Sequence, residues 1–381
     1  MNRVSILSKK SIVGIVTAAS VLSIIIIITI MIFVLPAKTP TANTITHFGA
    51  PGTNALLVNA EEKHIVPLDQ IVSGGPPPDG IPSIDKPKFV TVQEANKFLG
   101  DLDLILGLNI NGDIRAYPLQ ILVWHEIIND KLGGIPVAVT YCPLCFTNQV
   151  FNRLLSDKAV VEFGTSGKLY NSNLVMYDRI SKSLWSQALA EGIVGKYAGT
   201  KLERIPFDVA NWKDWKQLYP NTKILSRDTG FSRPYGADPY DGYYSSNDLF
   251  FPVSHRDDRL GLKDIIVGLE NGGQYKAYRL QEIENNKVIN DEFNGNPITL
   301  LSLYPHMARA YASSVDGNTL TFEYMGANNG KFKDKQTGTE WNFEGMAVSG
   351  QMKGKHLTRL PFDQGYWFEW AAFHPMTRLH P

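Results

Sequence analysis

Two cysteines in 381 residues are too few for a disulfide-built fold, so the chain must close a hydrophobic core of its own. Neither charge is in excess: 37 basic and 37 acidic residues cancel, and no long run of one sign occurs. A nucleic-acid surface leaves a basic footprint, and its absence excludes nucleic acid as a partner. There is no dinucleotide fingerprint, nucleophile elbow or zinc-protease helix. The segment Gly164-Thr165-Ser166-Gly167 before Lys168 is too short for a phosphate loop and reads as a turn. What the chain does have is apolar and aromatic bulk: 44% hydrophobic residues, 16 Tyr, 18 Phe and 7 Trp. That suits a β-rich globular protein of one large domain or two small ones.

Residues 11–35 carry no charge and include the run IIIIITIMIFVL. In a helix they span about 37 Å, enough to cross a bilayer. The run is longer than the core of a cleavable signal and is followed by LPAKTP, so it reads as an uncleaved signal-anchor. Arg3, Lys9 and Lys10 precede it, against Lys38 soon after. Positive-inside bias then keeps residues 1–10 in the cytoplasm and the bulk of the chain extracytoplasmic, on a single-pass anchor. Residues 36–63, rich in Thr, Ala, Asn, Gly and Pro, read as a stalk. The Pro- and Gly-rich SGGPPPDGIPSIDKPKF reads as an ordered arm, and Thr91 to Glu94 as a capping box opening a short helix that Gly100 stops.

The second half copies the first. At an offset of 161, twelve identities in 30 positions carry Gly107, Ala116, Tyr117, Asn129 and Asp130 onto Gly268, Ala277, Tyr278, Asn290 and Asp291. At an offset of 155, eleven in 28 carry Arg204, Asp208, Trp212 and Trp215 onto Arg359, Asp363, Trp367 and Trp370. Each copy reads as strand pair, short helical turn, hairpin at Gly133-Gly134 or Asn294-Gly295, further strands, and a helix with two tryptophans on one face. Asp208 and Asp363 are placed to cap those helices. The expected fold is therefore an α+β, strand-rich, internally duplicated ectodomain of two pseudo-symmetric copies on one N-terminal transmembrane helix. The first copy with its arm is 64–225, the connecting loop 226–258, and the second, degenerate copy 259–381.

The copies part where chemistry would sit. Trp124-His125-Glu126 becomes Asn285-Asn286-Lys287, and Cys142-Pro143-Leu144-Cys145 has Tyr304-Pro305-His306-Met307 near its place. A two-residue turn at Gly133-Gly134 makes residues summing to 267 face one another, which sets His125 opposite Cys142. Three chemistries fit. Thiolates and imidazole suit copper, ahead of zinc, with Cys142, Cys145 and His125 as metal ligands and Glu126, His255, His306 and Met307 as possible additions. A CxxC with Pro after its first Cys also resembles thiol–disulfide redox motifs, although FTNQVF after it is a poor helix start for lowering a thiol pKa. Outside the cytoplasm the pair also fits an inert disulfide in a structural or interaction ectodomain. His47, His64, His356, His374 and His380 read as surface or incidental. Asp178-Arg179 and Arg227-Asp228 read as structural salt bridges, and the tyrosines from Tyr235 to Tyr244 as core packing of a connecting loop.

At SGGPPPDGIPSIDKPKF, RAYPLQILVWHEIIND, PVAVTYCPLC and SLWSQALAEGIVG the chain resembles the family called domain of unknown function 3179. The resemblance runs from about residue 69 to the end of the second copy. It implies that the histidine and cysteine motifs, hence His125, Cys142 and Cys145, belong to the family's pattern. Phe146 departs from it, since a small residue is expected after the second cysteine.

Overall fold

Tight left-handed turns fold the chain into hairpins. Strands Ile127–Leu132 and Ile135–Cys142 meet at Gly133 and Gly134, with φ of 55° and 89°. Strands Val288–Phe293 and Asn296–Leu301 meet at Asn294 and Gly295, with φ of 51° and 74°. Two successive positive φ values make the two-residue turn whose twist matches the flanking strands. The expected register follows: Ile127 faces Thr140, and Ile128 faces Val139. The structure is a computed structural model and describes residues 61–327 and 330–381. The expected cytoplasmic segment 1–10, anchor 11–35 and stalk 36–60 lie outside the described residues. Among the described residues no helix is long and apolar enough to cross a membrane.

Hairpins assemble into several sheets with few, short helices, a strand-rich α+β fold. One five-stranded sheet runs Asp208–Asn211, Leu104–Ile110, Asp113–Pro118, Lys223–Leu225 and Phe89–Val90. A four-stranded sheet runs Val288–Phe293, Asn296–Leu301, Arg309–Ala312 and Thr358–Leu360. The largest sheet draws on both halves: Arg378–Leu379, Gln274–Arg279, Ile265–Asn271 and Asp363–Tyr366 continue into Thr147–Asn152, Ile135–Cys142 and Ile127–Leu132. Its seam is the pairing of Gln364 with Asn148.

Equivalent pairings recur in the two halves. Gly107 faces Ala116 and Asp208, while Gly268 faces Ala277 and Asp363. Parallel pairings join Ile224 to Ala116 and Leu379 to Ala277. Tyr117 donates to Asp130 at 2.7 Å and Tyr278 to Asp291 at 2.8 Å. Trp215 and Trp370 each lie flat on a glycine: a Cβ on Gly107 or Gly268 would sit 2.4 Å from the ring, so only glycine fits beneath them.

Two expectations about charged residues are corrected. Asp208 and Asp363 do not cap helices; each opens a strand, and the N-caps are Asn211 and Tyr366, neither with a side-chain bond. Both aspartates are drawn instead into contacts across sheet seams. The neighbouring charges in Asp178-Arg179 and Arg227-Asp228 do not pair with each other. Arg179 reaches into the arm, to Asp79 (2.8 Å) and Asp85 (3.3 Å), and Asp228 pairs with Lys88 (2.7 Å). The arm is thus ordered by charge as well as by the bridge of Ile84 to Ile128.

Candidate functional site

Cys142 ends its strand, and a turn closed by Cys145 N–H on Cys142 C=O (3.2 Å) brings the two side chains together. Phe146 completes the turn at φ 55°. Both cysteines are free thiols, buried to 2% and 0% exposure, with their sulfurs 3.4 Å apart. Cys145 Sγ donates to the Ser172 carbonyl at 3.0 Å, and Cys142 Sγ stands 3.9 Å from the same oxygen. That acceptor is itself unusual. Asn171 and Ser172 form the two-residue turn between Phe163–Tyr170 and Asn173–Asp178, with φ of 49° and 65°, and the turn is buried. Turns normally face water, and Ser has no special tolerance of this conformation. A buried turn of this kind is held in place by its surroundings.

Buried polar side chains bond one another beside the thiols. Gln187 donates to Thr140 Oγ1 (2.9 Å) and to the Thr147 carbonyl (3.2 Å), and Asn173 donates to Gln187 Oε1 (3.0 Å). At the seam beside them the bonding runs out. Thr147 Oγ1, Asn148 Oδ1, Gln149 Nε2, Asp363 Oδ1, Gln364 Oε1 and both carboxylate oxygens of Glu369 are buried without a hydrogen-bond partner. Buried polar atoms are nearly always satisfied, so a cluster of orphans on two facing segments calls for a functional explanation. Burial raises the Glu369 carboxyl well above the usual carboxylate range, and Asp363 and Cys142 add to it. Thr147 and Arg204 ease its ionisation without offsetting burial; the Thr147 hydroxyl stands near but outside hydrogen-bond geometry. Asp363 is pushed up to about 6 by burial, against the pull of Arg204 and Gln149. Burial also drives the Cys145 thiol up, with Cys142 and Glu369 in support.

The other seam shows what a closed version looks like. There Arg309 binds Asp208 through two bonds, Nε to Oδ1 (2.9 Å) and Nη2 to Oδ2 (2.8 Å), and Arg359 adds a third at 2.8 Å. Burial disfavours the Asp208 charge, but Arg309 and Arg359 outweigh it and hold the carboxyl below its usual range. Position by position, Arg309 faces Leu301 as Gln149 faces Thr140, and Asp208 faces Gly107 as Asp363 faces Gly268. Gln149 thus holds the strand position that Arg309 holds at the other seam, and Asp363 Oδ1 is left without a hydrogen-bond partner among the described residues.

The remaining candidates sit elsewhere. The register holds as far as the bond from Tyr141 N–H to Glu126 C=O (2.9 Å), but Glu126 adopts φ 57°, so the strand ends one residue short of His125. His125 Nδ1 donates to the Pro82 carbonyl (2.7 Å), which fixes the tautomer, and Nε2 accepts from Tyr235 OH (2.6 Å). Tyr235 in turn meets Thr229 Oγ1 at 2.5 Å. Both ring nitrogens are taken, and burial lowers the His125 pKa, so the neutral ring is a clasp between the arm and the connecting segment. The expected pairing of His125 with Cys142 is thereby corrected. His306 and Met307 lie in the other half: the His306 backbone N–H bonds Glu284 (2.6 Å), and Met307 packs in the cluster of Trp341 and Tyr311. His255 is half-exposed beside Asp257. Among the described residues no group of three or more His, Cys, Asp or Glu is gathered to hold a metal ion.

The connecting segment 226–258 packs by its tyrosines, as expected, and it also reaches the cysteine turn, which was not expected. Buried Tyr243 donates to the Leu144 carbonyl (2.9 Å), and Lys263 bonds the carbonyls of Tyr243, Ser246 (2.6 Å) and Asp248 (3.1 Å) from below. Glu369, Thr147, Gln149 and Ser172 escaped sequence reasoning, and Asp363 was read only as a helix cap. For two of them a signal lies in the comparison of halves, where Gln149 stands against Arg309 and Glu369 against Asp214.

Fold and site together define a strand-rich α+β protein with a covered thiol pair beside an unneutralised acidic seam. The chain belongs to the family described as protein of unknown function DUF3179, whose model matches residues 78–377. No curated protein and no solved structure matches it.

Proposed function

We propose that the protein is a thiol–disulfide redox protein in which Cys142 and Cys145 form the working pair and Glu369 handles their protons. One observation carries the reading. Two free thiols 3.4 Å apart lie beside a buried carboxyl with no hydrogen-bond partner, at a seam whose counterpart is neutralised by arginine. The chemistry balances with a disulfide R–S–S–R as oxidant. The ionised form of Glu369 takes the proton of one Cys thiol, the thiolate attacks one sulfur of R–S–S–R, and the RS⁻ that leaves takes that proton from Glu369. The second Cys thiol then gives its proton to Glu369 and its thiolate displaces the other RS⁻, which takes the proton in turn, giving the Cys142–Cys145 disulfide and two RSH. Reduction by a dithiol is the reverse.

The scaffold belongs to the same proposal: two diverged copies of one unit, on a membrane anchor formed by residues 11–35, with the site on the extracytoplasmic side. The equivalent registers and the paired Trp–Gly contacts support the duplication. Charge asymmetry around residues 11–35 supports the orientation. The metal reading of the same cysteines has less support, because His125 is engaged with Pro82 and Tyr235.

Equilibration of the intact protein with mixtures of reduced and oxidised glutathione, followed by thiol trapping and elemental analysis, tests this. We expect both thiols to disappear together, reversibly. Glu369→Gln should slow that step by about 10²-fold, the scale of general acid–base catalysis, and leave only the pH dependence of the thiols themselves. Thiols that react only after unfolding would overturn the redox reading. One equivalent of copper or zinc, lost in Cys145→Ser, would restore the metal one.

A further inference from the structure

Glu126 is unused by the redox chemistry, and its surroundings point to a second site. Its residue is 8% exposed, and among the described residues no hydrogen bond or ion pair holds its carboxyl. The side chain lines a half-open cavity of about 230 Å³. Apolar side chains make most of the wall, among them Ile81, Leu144, Leu169 and Leu174, and the connecting segment adds Tyr240, Phe250 and Phe251. Lys168 also lines it but makes no ion pair with Glu126. An unpaired acid in an apolar, aromatic-walled cavity lacks one thing, a cation. Aromatic faces attract the same cation through their quadrupoles, most strongly where water is excluded. The volume falls below that of drug-sized pockets, which limits the occupant to a small molecule.

We propose that this cavity binds a small amphipathic ammonium ligand, its charged head on Glu126 among Tyr240, Phe250 and Phe251 and its apolar body against Leu144, Leu169 and Leu174. A hydroxyl or amide head would gain hydrogen bonds but leave the acid without a counter-charge. Burial agrees with the unmet need, raising the Glu126 carboxyl to about 8 with no other group contributing. This inference is independent of the redox reading, since no step of that chemistry passes through Glu126.

The test is calorimetric titration of the intact protein with benzylamine and, separately, with benzyl alcohol, which has a similar body and no charge. Benzylamine should bind at least about tenfold tighter than benzyl alcohol, the scale of a charged hydrogen bond. Glu126→Gln should erase that preference while folding normally, because a neutral amide is easier to bury than a carboxylate. Lys168→Met should leave benzylamine binding in place. Failure of benzylamine to bind, equal binding of the alcohol, or full benzylamine affinity in Glu126→Gln would each overturn the proposal.

Discussion

Asp208 and Asp363 occupy equivalent strand positions, yet their removal should change stability in opposite directions. Asp208→Asn leaves Arg309, itself 2% exposed, facing an uncharged amide. Breaking a buried ion pair from one side costs about 3–5 kcal/mol. Because the native Asp208 pKa is depressed, its contribution is present above the unfolded value near pH 4 and fades as pH falls through the native one. Asp363 has the reverse sign. Its native pKa of about 6 exceeds the ordinary 3.8, so the folded state binds the extra proton between those values. Its stability is fully present below about pH 4 and lost as pH rises through 6. At about 1.36 kcal/mol per unit, the penalty above pH 6 reaches about 3 kcal/mol. Asp363→Asn should therefore be nearly neutral at pH 4 and stabilising by up to about 3 kcal/mol at pH 7 to 8. Urea denaturation of both variants at pH 4, 5.5, 7 and 8 reads the two curves. Destabilisation by both at pH 7, or a pH-independent Asp363→Asn effect, would refute the open-seam argument.

Three further outcomes are expected. Gly107→Ala and Gly268→Ala drive a methyl to 2.4 Å from Trp215 and Trp370, and each should lower stability by at least about 1–3 kcal/mol in denaturant melts. His125→Asn cuts the clasp from Pro82 to Tyr235; we expect a loss of about 1–3 kcal/mol and faster proteolysis within 226–258, with the rate of thiol oxidation no slower than in the wild type. A reporter enzyme fused after Leu35 should read as extracytoplasmic, and the mature chain should keep its own N-terminus; a start near Ala37 would make residues 11–35 a cleaved signal.

Much of the fold was legible because local chemistry decides it. The glycine turns set the hairpin registers, Thr91 and Glu94 make the capping box, and the paired tryptophans mark their helices. The direction of His125 was not legible, since it hangs on one left-handed residue. Glu126 takes φ 57°, and Lys287 takes 65° at the matching place in the other half, with nothing in either side chain to announce it. His374 was misread as incidental. It is buried, with its ring 3.8 Å from that of Tyr275, and burial pushes its pKa down to about 3. The acidic seam is a contact between strands more than 200 residues apart, and periodicity carries no information about such pairings. The cysteines themselves were visible, but the buried carboxyl of Glu369 near them was not.

If Cys142 and Cys145 cycle as proposed, the buried turn at Asn171-Ser172 ties their redox state to its surroundings. In the dithiol form the Ser172 carbonyl has Cys145 as donor and Cys142 close by. Oxidation removes both sulfur-bound hydrogens, and the carbonyl is left buried with no donor given for it by any other described residue. A buried acceptor left without its partner costs about 1–3 kcal/mol. That cost falls on the disulfide alone, so the dithiol is favoured. At about 30 mV per 1.4 kcal/mol for a two-electron couple, it raises the reduction potential by roughly 20–65 mV. In the proposed redox chemistry, the burial of this turn would bias the pair towards accepting electrons rather than donating them.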